Sequence, residues 1–229
     1  MSISRFIGRF YLLFAYSLYY KKKLQEIDNV RLFGFSLTIP PGVFHPRFFL
    51  TTKVFGKYLS TLDLKNSALL EMGCGSGVLS LLCASKGANV TSIDVNPLAV
   101  ECTRRNAEAN KLGDSVHVLQ SDLFSGLSTE KRFDLIVWNP PFYPKEPSDD
   151  ASKALYTGEG YRVIERFAKE MSAHLTERGV ALILWRKGDK GEMTIVKFFR
   201  DQSLDCESVH TEATWIETFV IYRFQNSSS

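Results

Sequence analysis

Four consecutive residues carry groups that could hold a planar nitrogen in place. Asn139, Pro140, Pro141 and Phe142 follow directly after an apolar, strand-like run over Phe133–Trp138. The side-chain oxygen of Asn139 and the carbonyl oxygen of Pro140 can each accept one N–H of an amide or aromatic amine. The prolines fix the backbone, and the Phe142 ring can stack on a planar group. We predict Asn139, Pro140 and Phe142 as catalytic and all four residues, the catalytic loop, as acceptor-binding.

A glycine-rich turn stands earlier in the chain, between an apolar run and a helix-like stretch. It contains Glu71, Gly73, Cys74, Gly75 and Gly77, with the glycines spaced G-x-G-x-G. Glycine lets the backbone approach a ligand where a Cβ would clash. Taken alone, such a turn could also be a tight strand-to-helix connection, because the dinucleotide fingerprint is G-x-G-x-x-G.

Two further strand ends carry residues of the kind that bind a nucleoside. The second predicted strand ends at Asp94, followed by Val95, and the third leads into Asp122 and Leu123. Asp94 could accept both ribose hydroxyls, and Asp122 could accept an adenine amine. Ligands of open α/β sheets bind outside the carboxyl ends of the strands, so these residues and the glycine-rich turn predict one nucleoside site.

Together these motifs resemble those of the class I methyltransferases, over about residues 40–185. The resemblance implies S-adenosyl-L-methionine as the cofactor and the strand order 3-2-1-4-5, which would put the catalytic loop beside the glycine-rich turn. The implied cofactor-binding residues are Glu71, Gly73, Cys74, Gly75, Gly77, Asp94, Val95, Asp122, Leu123, Thr51 and Asn139. The sulfonium donor is already charged, so positioning and electrostatics can do most of the catalysis.

Within that group, two segments are similar to the HemK-type release-factor glutamine methyltransferases. Pro40–Arg47, followed by Thr51 and Thr52, resembles the proline-arginine segment that closes their cofactor pocket, and Leu155–Ile164 resembles their glycine-containing helix entry. Both matches are partial. The family usually has two adjacent glycines at Thr157-Gly158 and tyrosine in place of Phe142. The resemblance favours a protein glutamine, such as one in a release factor, as the methyl acceptor.

Two other functions stay open. An RNA adenine or guanine N-methyltransferase acting on structured rRNA or tRNA would use the same catalytic loop. Beyond residue 31, however, the chain has nearly balanced charge, and it shows no RNA-binding module. A non-catalytic scaffold or activating subunit would typically lose one of the two loops, and this chain retains both.

The elements that must position these residues follow a regular alternation beyond Asp63. Predicted strands are Ala68–Met72, Asn89–Asp94, Ser115–Gln120, Phe133–Trp138 and Val180–Trp185, and predicted helices cover 77–86, 97–110 and 160–175. Two β-rich pieces, Cys206–His210 and Trp215–Tyr222, predict a terminal antiparallel pair. The alternation predicts an α/β fold with a doubly wound, mostly parallel, seven-stranded, Rossmann-like sheet. We assign residues 40–229 to this catalytic domain.

Residues 1–39 are predicted as a helical extension rich in aromatic and basic residues. Residues 6–20 contain twelve apolar or aromatic residues, and three lysines follow at 21–23. The run is short for a membrane span and is interrupted by Arg9. It favours a helix packed on the domain, with membrane-surface contact through residues 6–23 as the alternative.

The remaining composition points to a cytoplasmic protein without a metal. The four cysteines are scattered without C-x-x-C spacing, which favours reduced thiols. The histidines have no metal-ligand spacing. Of these, His45 could line the site because it neighbours the segment predicted to close the pocket.

Overall fold

The structure, a computed structural model, describes residues 25–227. Its strands are β1 (Asp28–Leu32), β2 (Phe35–Ile39), β3 (Ala68–Met72), β4 (Asn89–Asp94), β5 (Val116–Gln120), β6 (Phe133–Trp138), β7 (Leu175–Arg186), β8 (Leu204–Ala213) and β9 (Thr218–Asn226). Its α-helices are α1 (Leu50–Ser60), α2 (Val78–Ser85), α3 (Pro97–Ala109), α4 (Arg162–Met171) and α5 (Glu192–Arg200).

Seven strands form a single sheet in the order β5-β4-β3-β6-β7-β9-β8. The first five run parallel to their neighbours, and β9 pairs antiparallel with both β7 and β8. Counted within the sheet, the parallel part has the predicted order 3-2-1-4-5. The α/β class, the seven-stranded sheet and the terminal antiparallel pair are therefore confirmed.

Helices cover both faces of the sheet because successive side chains of each buried strand point to opposite sides. In β6, Leu135 and Val137 belong to the apolar core that contains residues of α1, α2 and α3. Ile136 and Trp138 belong to the core on the other face, with residues of α4 and α5. The sheet is thus doubly wound, and β6 is buried on both sides immediately before the catalytic loop.

The prediction of a helical N-terminal extension over residues 1–39 is wrong in part, because residues 28–39 form a β-hairpin. The turn residues Phe33 and Gly34 both have positive φ, 51° and 87°, which suits a two-residue hairpin loop. Strand β2 lies against α3: Thr38 N–H donates to Asn106 Oδ1 at 2.9 Å, and Ser36 N–H donates to Asn110 Oδ1 at 3.1 Å. The hairpin is therefore part of the domain, while residues 1–24, with the predicted membrane-surface contact of residues 6–23, lie outside the described residues.

Two helices, α1 and α5, have no counterpart among the predicted elements. Helix α1 begins Leu50-Thr51-Thr52 and contains Gly56, and α5 contains adjacent β-branched and aromatic residues. Such residues have low helix propensity, so burial of one face, not intrinsic preference, stabilises these helices. Between residues 25 and 227, no helix is both long and apolar enough for a membrane span.

Candidate functional site

The glycine-rich turn between β3 and α2 has a backbone that suits only glycine at three positions. Gly73, Gly75 and Gly77 have φ values of 68°, 53° and 78°, which are left-handed. At Gly77 a Cβ would also lie 2.8 Å from Thr103 Cγ2. The turn therefore needs glycine both for its conformation and for close packing against α3.

Helix α3 and strand β4 hold this turn in place. The Cys74 N–H donates to the Ile93 carbonyl at 2.9 Å, and the Thr103 hydroxyl donates to the Gly75 carbonyl at 3.1 Å. Asn106 Nδ2 donates to the Ser76 carbonyl at 2.9 Å. The backbone is thus fixed by the protein itself, which preorganises a cradle for a ligand.

Asp94 lies at the end of β4, directly beside the glycine-rich turn. Its Oδ2 accepts the Gly75 N–H and its Oδ1 accepts the Asn96 N–H, each at 2.9 Å. Burial raises the pKa of Asp94, and these backbone hydrogen bonds oppose the increase. Each oxygen keeps a second lone pair, so the carboxylate is oriented and can still accept the hydroxyls of a ribose.

Glu71 is buried at the end of β3, and its side-chain Oε2 accepts a hydrogen bond from the Ser80 hydroxyl. Ser80 Oγ is 2.5 Å from Ser92 Oγ of β4. Burial raises the pKa of Glu71 to about 8. The Glu71 carboxyl group therefore lies inside the domain, hydrogen-bonded to Ser80 between α2 and the sheet.

The third predicted strand end has an unexpected partner. The Asp122 carboxylate forms an ion pair with Arg166 of α4, Oδ2 to Nη1, at 3.1 Å, and both side chains are substantially exposed. Leu123, with φ 51°, is buried. Val95 is half-buried and its carbonyl accepts Gln120 Nε2 at 3.1 Å, which joins the ends of β4 and β5.

The catalytic loop begins where β6 ends, next to β3 in the sheet. Asn139 Nδ2 donates to Thr51 Oγ1 at 3.1 Å. Within residues 25–227, Asn139 Oδ1 receives no hydrogen bond, so it stays available to a ligand. Thr51 was predicted to bind the cofactor; the structure places its hydroxyl on Asn139.

Aromatic rings and an arginine surround Phe142. The Phe142 ring meets Trp185 edge to face, with centroids 4.8 Å apart. Arg186 Cζ lies 5.6 Å from the Phe142 centroid and 5.1 Å from the Tyr143 centroid. Sequence reasoning did not find Arg186, and a lone arginine at a strand end gave no signal.

The segment predicted to close the pocket, residues 40–47, lies against the glycine-rich turn. Phe44 stacks on Phe49 at 4.2 Å and its Cβ is 3.7 Å from the position of a Gly75 Cβ. The Gly42 carbonyl accepts Asn96 Nδ2 at 2.9 Å. His45 is buried beside Asp28 of β1, with Nε2 3.3 Å from Oδ2, so this histidine contacts the hairpin. Burial lowers the pKa of His45 despite Asp28.

The segment 155–164 is tied by backbone hydrogen bonds to Tyr143, the residue that follows the catalytic loop. Tyr143 N–H donates to the Leu155 carbonyl at 3.1 Å, and Thr157 N–H donates to the Tyr143 carbonyl at 2.9 Å. The structure therefore brings together the glycine-rich turn, Asp94, the catalytic loop and both flanking segments. Residues 25–227 contain no cluster of three metal-ligating side chains.

Residues 35–212 match the methyltransferase small domain. The chain belongs to this family. It is an S-adenosylmethionine-dependent N-methyltransferase, and the glycine cradle with the Asp94 carboxylate fits that cofactor.

Relatives of this methyltransferase have different acceptors. It is 31% identical over 163 residues to a Methanocaldococcus jannaschii protein provisionally assigned as a protein N5-glutamine methyltransferase, covering 68% of this chain and 78% of that one. It is 34% identical over 103 residues to the tRNA1(Val) (adenine(37)-N6)-methyltransferase of a Flavobacteriaceae bacterium, covering 44% and 43%.

A solved structure supports the fold of this methyltransferase. It is the T. thermophilus 16S rRNA N2 G1207 methyltransferase with AdoMet and guanosine, similar with a TM-score of 0.63 and 21% identity. The similarity covers 88% of this chain and 50% of the other. The shared fold extends over nearly the whole of the described domain.

Proposed function

We propose that this enzyme methylates the side-chain amide nitrogen of a protein glutamine. The observation that carries the proposal is the orientation of Asn139: its Nδ2 donates to Thr51, so its Oδ1 remains free to accept an N–H. An amide nitrogen is a poor nucleophile because its lone pair is delocalised. Accepting its two N–H bonds at Asn139 Oδ1 and the Pro140 carbonyl would aim that lone pair at the methyl donor.

The cofactor supplies a methyl group bonded to a positively charged sulfur. When bound, it would give that methyl group to the acceptor nitrogen and leave as S-adenosylhomocysteine, and the nitrogen would release one proton to water. We assign the ribose to Asp94, the methionine part to the glycine-rich turn, and the adenine end to Asp122 and Leu123. Glu71, bonded to Ser80, would support that turn from inside the domain. Phe142 would stack on the planar acceptor group.

Glutamine is favoured over a nucleobase by two observations. A relative matched over 78% of its own length carries a glutamine methyltransferase name, and residues beyond 31 have balanced charge, whereas RNA binding usually needs a basic surface. A release factor is the partner that the flanking segments favour. We place the enzyme in the cytoplasm and keep membrane-surface contact through residues 6–23 as a hypothesis.

RNA remains the second candidate, because the tRNA adenine methyltransferase relative also methylates a planar amine. A scaffold function is disfavoured because the glycine-rich turn and the catalytic loop are both retained. Tritiated-methyl transfer from S-adenosylmethionine to fractionated cell lysate, with and without ribonuclease, separates these functions. We expect ribonuclease-resistant label in protein, recovered as N-methylglutamine after digestion. Label confined to RNA would overturn the glutamine proposal, and no transfer at all would favour the scaffold.

A further inference from the structure

Arg186 ends strand β7 and lies against the catalytic loop. Its side chain is 10% exposed, and its guanidinium carbon is 5.1 Å from the Tyr143 centroid and 5.6 Å from the Phe142 centroid. The preceding residue, Trp185, contacts the Phe142 ring. Two consecutive residues of β7 thus pack on the ring of Phe142, and Arg186 also packs on the ring of Tyr143, the residue after the catalytic loop.

Two carboxylates, each in a turn next to the end of β7, accept hydrogen bonds from the Arg186 guanidinium. Arg186 Nη2 donates to Asp189, three residues later, and Nη1 donates to Glu217 at 3.2 Å. Glu217 belongs to the turn between β8 and β9. Burial alone would lower the pKa of Arg186, but Glu217 and Asp189 raise it. The arginine stays charged and has a fixed orientation.

The third edge of the guanidinium has no oxygen partner. Arg186 Nε is buried and makes no hydrogen bond within residues 25–227. An unpaired buried donor destabilises the folded chain, whereas a cation against an aromatic face is stabilising. Contact with two rings can offset much of that cost, which explains an arginine at this position.

We propose that Arg186 is a positioning residue for methyl transfer: it holds the Phe142 and Tyr143 rings in the orientation that stacks on the acceptor. The inference rests on the proposed function only in taking Phe142 as the stacking surface for a planar acceptor. Arg186 itself acts through the rings, since its hydrogen-bond partners among residues 25–227 are Asp189 and Glu217. Tyr143 is 44% exposed, so the same arginine sets a ring at the mouth of the acceptor site.

A double-mutant cycle separates this role from a merely structural one. The full chain would be compared with Arg186→Gln, Phe142→Leu and the double variant. Rates of tritiated-methyl transfer to whole-cell extract would be measured at limiting and saturating extract, with label counted separately in protein and RNA. Arg223→Gln is the matched control, because Arg223 pairs with Glu207 at 2.9 Å on the β8 and β9 strands.

We expect Arg186→Gln to lower the rate at saturating extract by about tenfold or more, as a small misplacement of reacting groups does. In the Phe142→Leu background the same change should cost less than about threefold. The dissociation constant for S-adenosylmethionine and the rate of Arg223→Gln should stay at the wild-type values.

Equal rate losses in the two backgrounds would overturn the proposal, as would a wild-type rate for Arg186→Gln. If Arg186→Gln does not fold, Arg186→Lys runs the same cycle, because lysine keeps the charge and loses the planar fork. Label found in RNA would refute the glutamine acceptor alone, since the cycle can be read from either fraction.

Discussion

Asn139 Nδ2 donates a hydrogen bond to Thr51 Oγ1 across 3.1 Å, joining the catalytic loop to a helix that begins 89 residues earlier in the chain. In this contact Asn139 Nδ2 faces helix α1. The contact also gives α1 a role in the site, because the helix supplies the acceptor for the side chain that would hold the substrate.

Thr51→Val should therefore impair catalysis without removing any loop residue. Valine keeps the shape of threonine but cannot accept the Asn139 N–H. We expect kcat/KM to fall about five- to tenfold, since one hydrogen bond contributes about 1 kcal/mol. Cofactor affinity, measured by calorimetry, should change little.

The neighbouring residue provides the control for that variant. Thr52 is equally buried, and its hydroxyl makes no hydrogen bond within the described chain. Thr52→Val should leave kcat/KM unchanged. The same loss in both variants would mean that α1 packing, and not the bond to Asn139, matters.

Gly77→Ala should weaken cofactor binding. The alanine Cβ would approach Thr103 Cγ2 to 2.8 Å, so the glycine-rich turn or helix α3 must shift. Gly188 is the matched control, with φ 77° and no atom within 4 Å of its Cβ position. Both changes carry backbone strain of about 1–3 kcal/mol.

Calorimetry with S-adenosylmethionine distinguishes the two glycine variants. We expect about a tenfold or greater loss of affinity for Gly77→Ala and none for Gly188→Ala. Equal affinities would contradict the close packing of the turn against Thr103.

The stability of the domain should depend on the ionisation of Glu71. Its pKa is about 8 in the folded chain and near 4.5 when unfolded. The folded state therefore keeps a proton that the unfolded state releases, so the contribution of Glu71 is full below about pH 4.5 and is lost as the pH rises through about 8. The decrease is on the order of a few kcal/mol.

Urea unfolding of the wild type and Glu71→Gln between pH 5 and 8 measures this effect. The difference in free energy of unfolding between the two proteins should move in favour of the variant as the pH rises. A difference that stays constant over that range would show that Glu71 is ionised in the folded state throughout.

Asn106 should connect the hairpin to the cofactor site. The Asn106 side chain accepts the Thr38 N–H and donates to the Ser76 carbonyl. The Asn110 side chain hydrogen-bonds to Ser36 of the hairpin and to the Asn106 carbonyl in its own helix. Hydrogen exchange should be faster at the Thr38 amide in Asn106→Leu and at the Ser36 amide in Asn110→Leu. Only Asn106→Leu should weaken cofactor binding; an equal loss in Asn110→Leu would mean that the hairpin, and not the turn, controls affinity.

The sequence predicted the parallel sheet and the cofactor turn because both depend on local patterns. Strands such as Phe133–Trp138 are mostly apolar runs with ends that match the structure, and glycine spacing reports backbone conformation directly. The catalytic loop could be proposed from the sequence for the same reason: its four residues are adjacent.

Contacts between distant parts of the chain could not be predicted in this way. The hairpin pairs with α3 through Asn106 and Asn110, one helical turn apart, and either residue alone reads as an ordinary polar helix residue. Thr51 reaches Asn139 only because α1 forms against its propensity. Arg186 contacts residues of three separate turns, namely those that contain Asp189, Glu217 and Phe142. A strand-end position alone does not distinguish it from other arginines in the sequence.

The most direct test of the account is methyl transfer by Asn139→Ala, measured beside its affinity for S-adenosylmethionine. The variant loses the oxygen that would hold the acceptor N–H and keeps the glycine-rich turn and Asp94. We predict a fall in turnover of about 100-fold or more, with a dissociation constant for the cofactor within about threefold of the wild type. Turnover equal to the wild type would contradict the assignment of the catalytic loop.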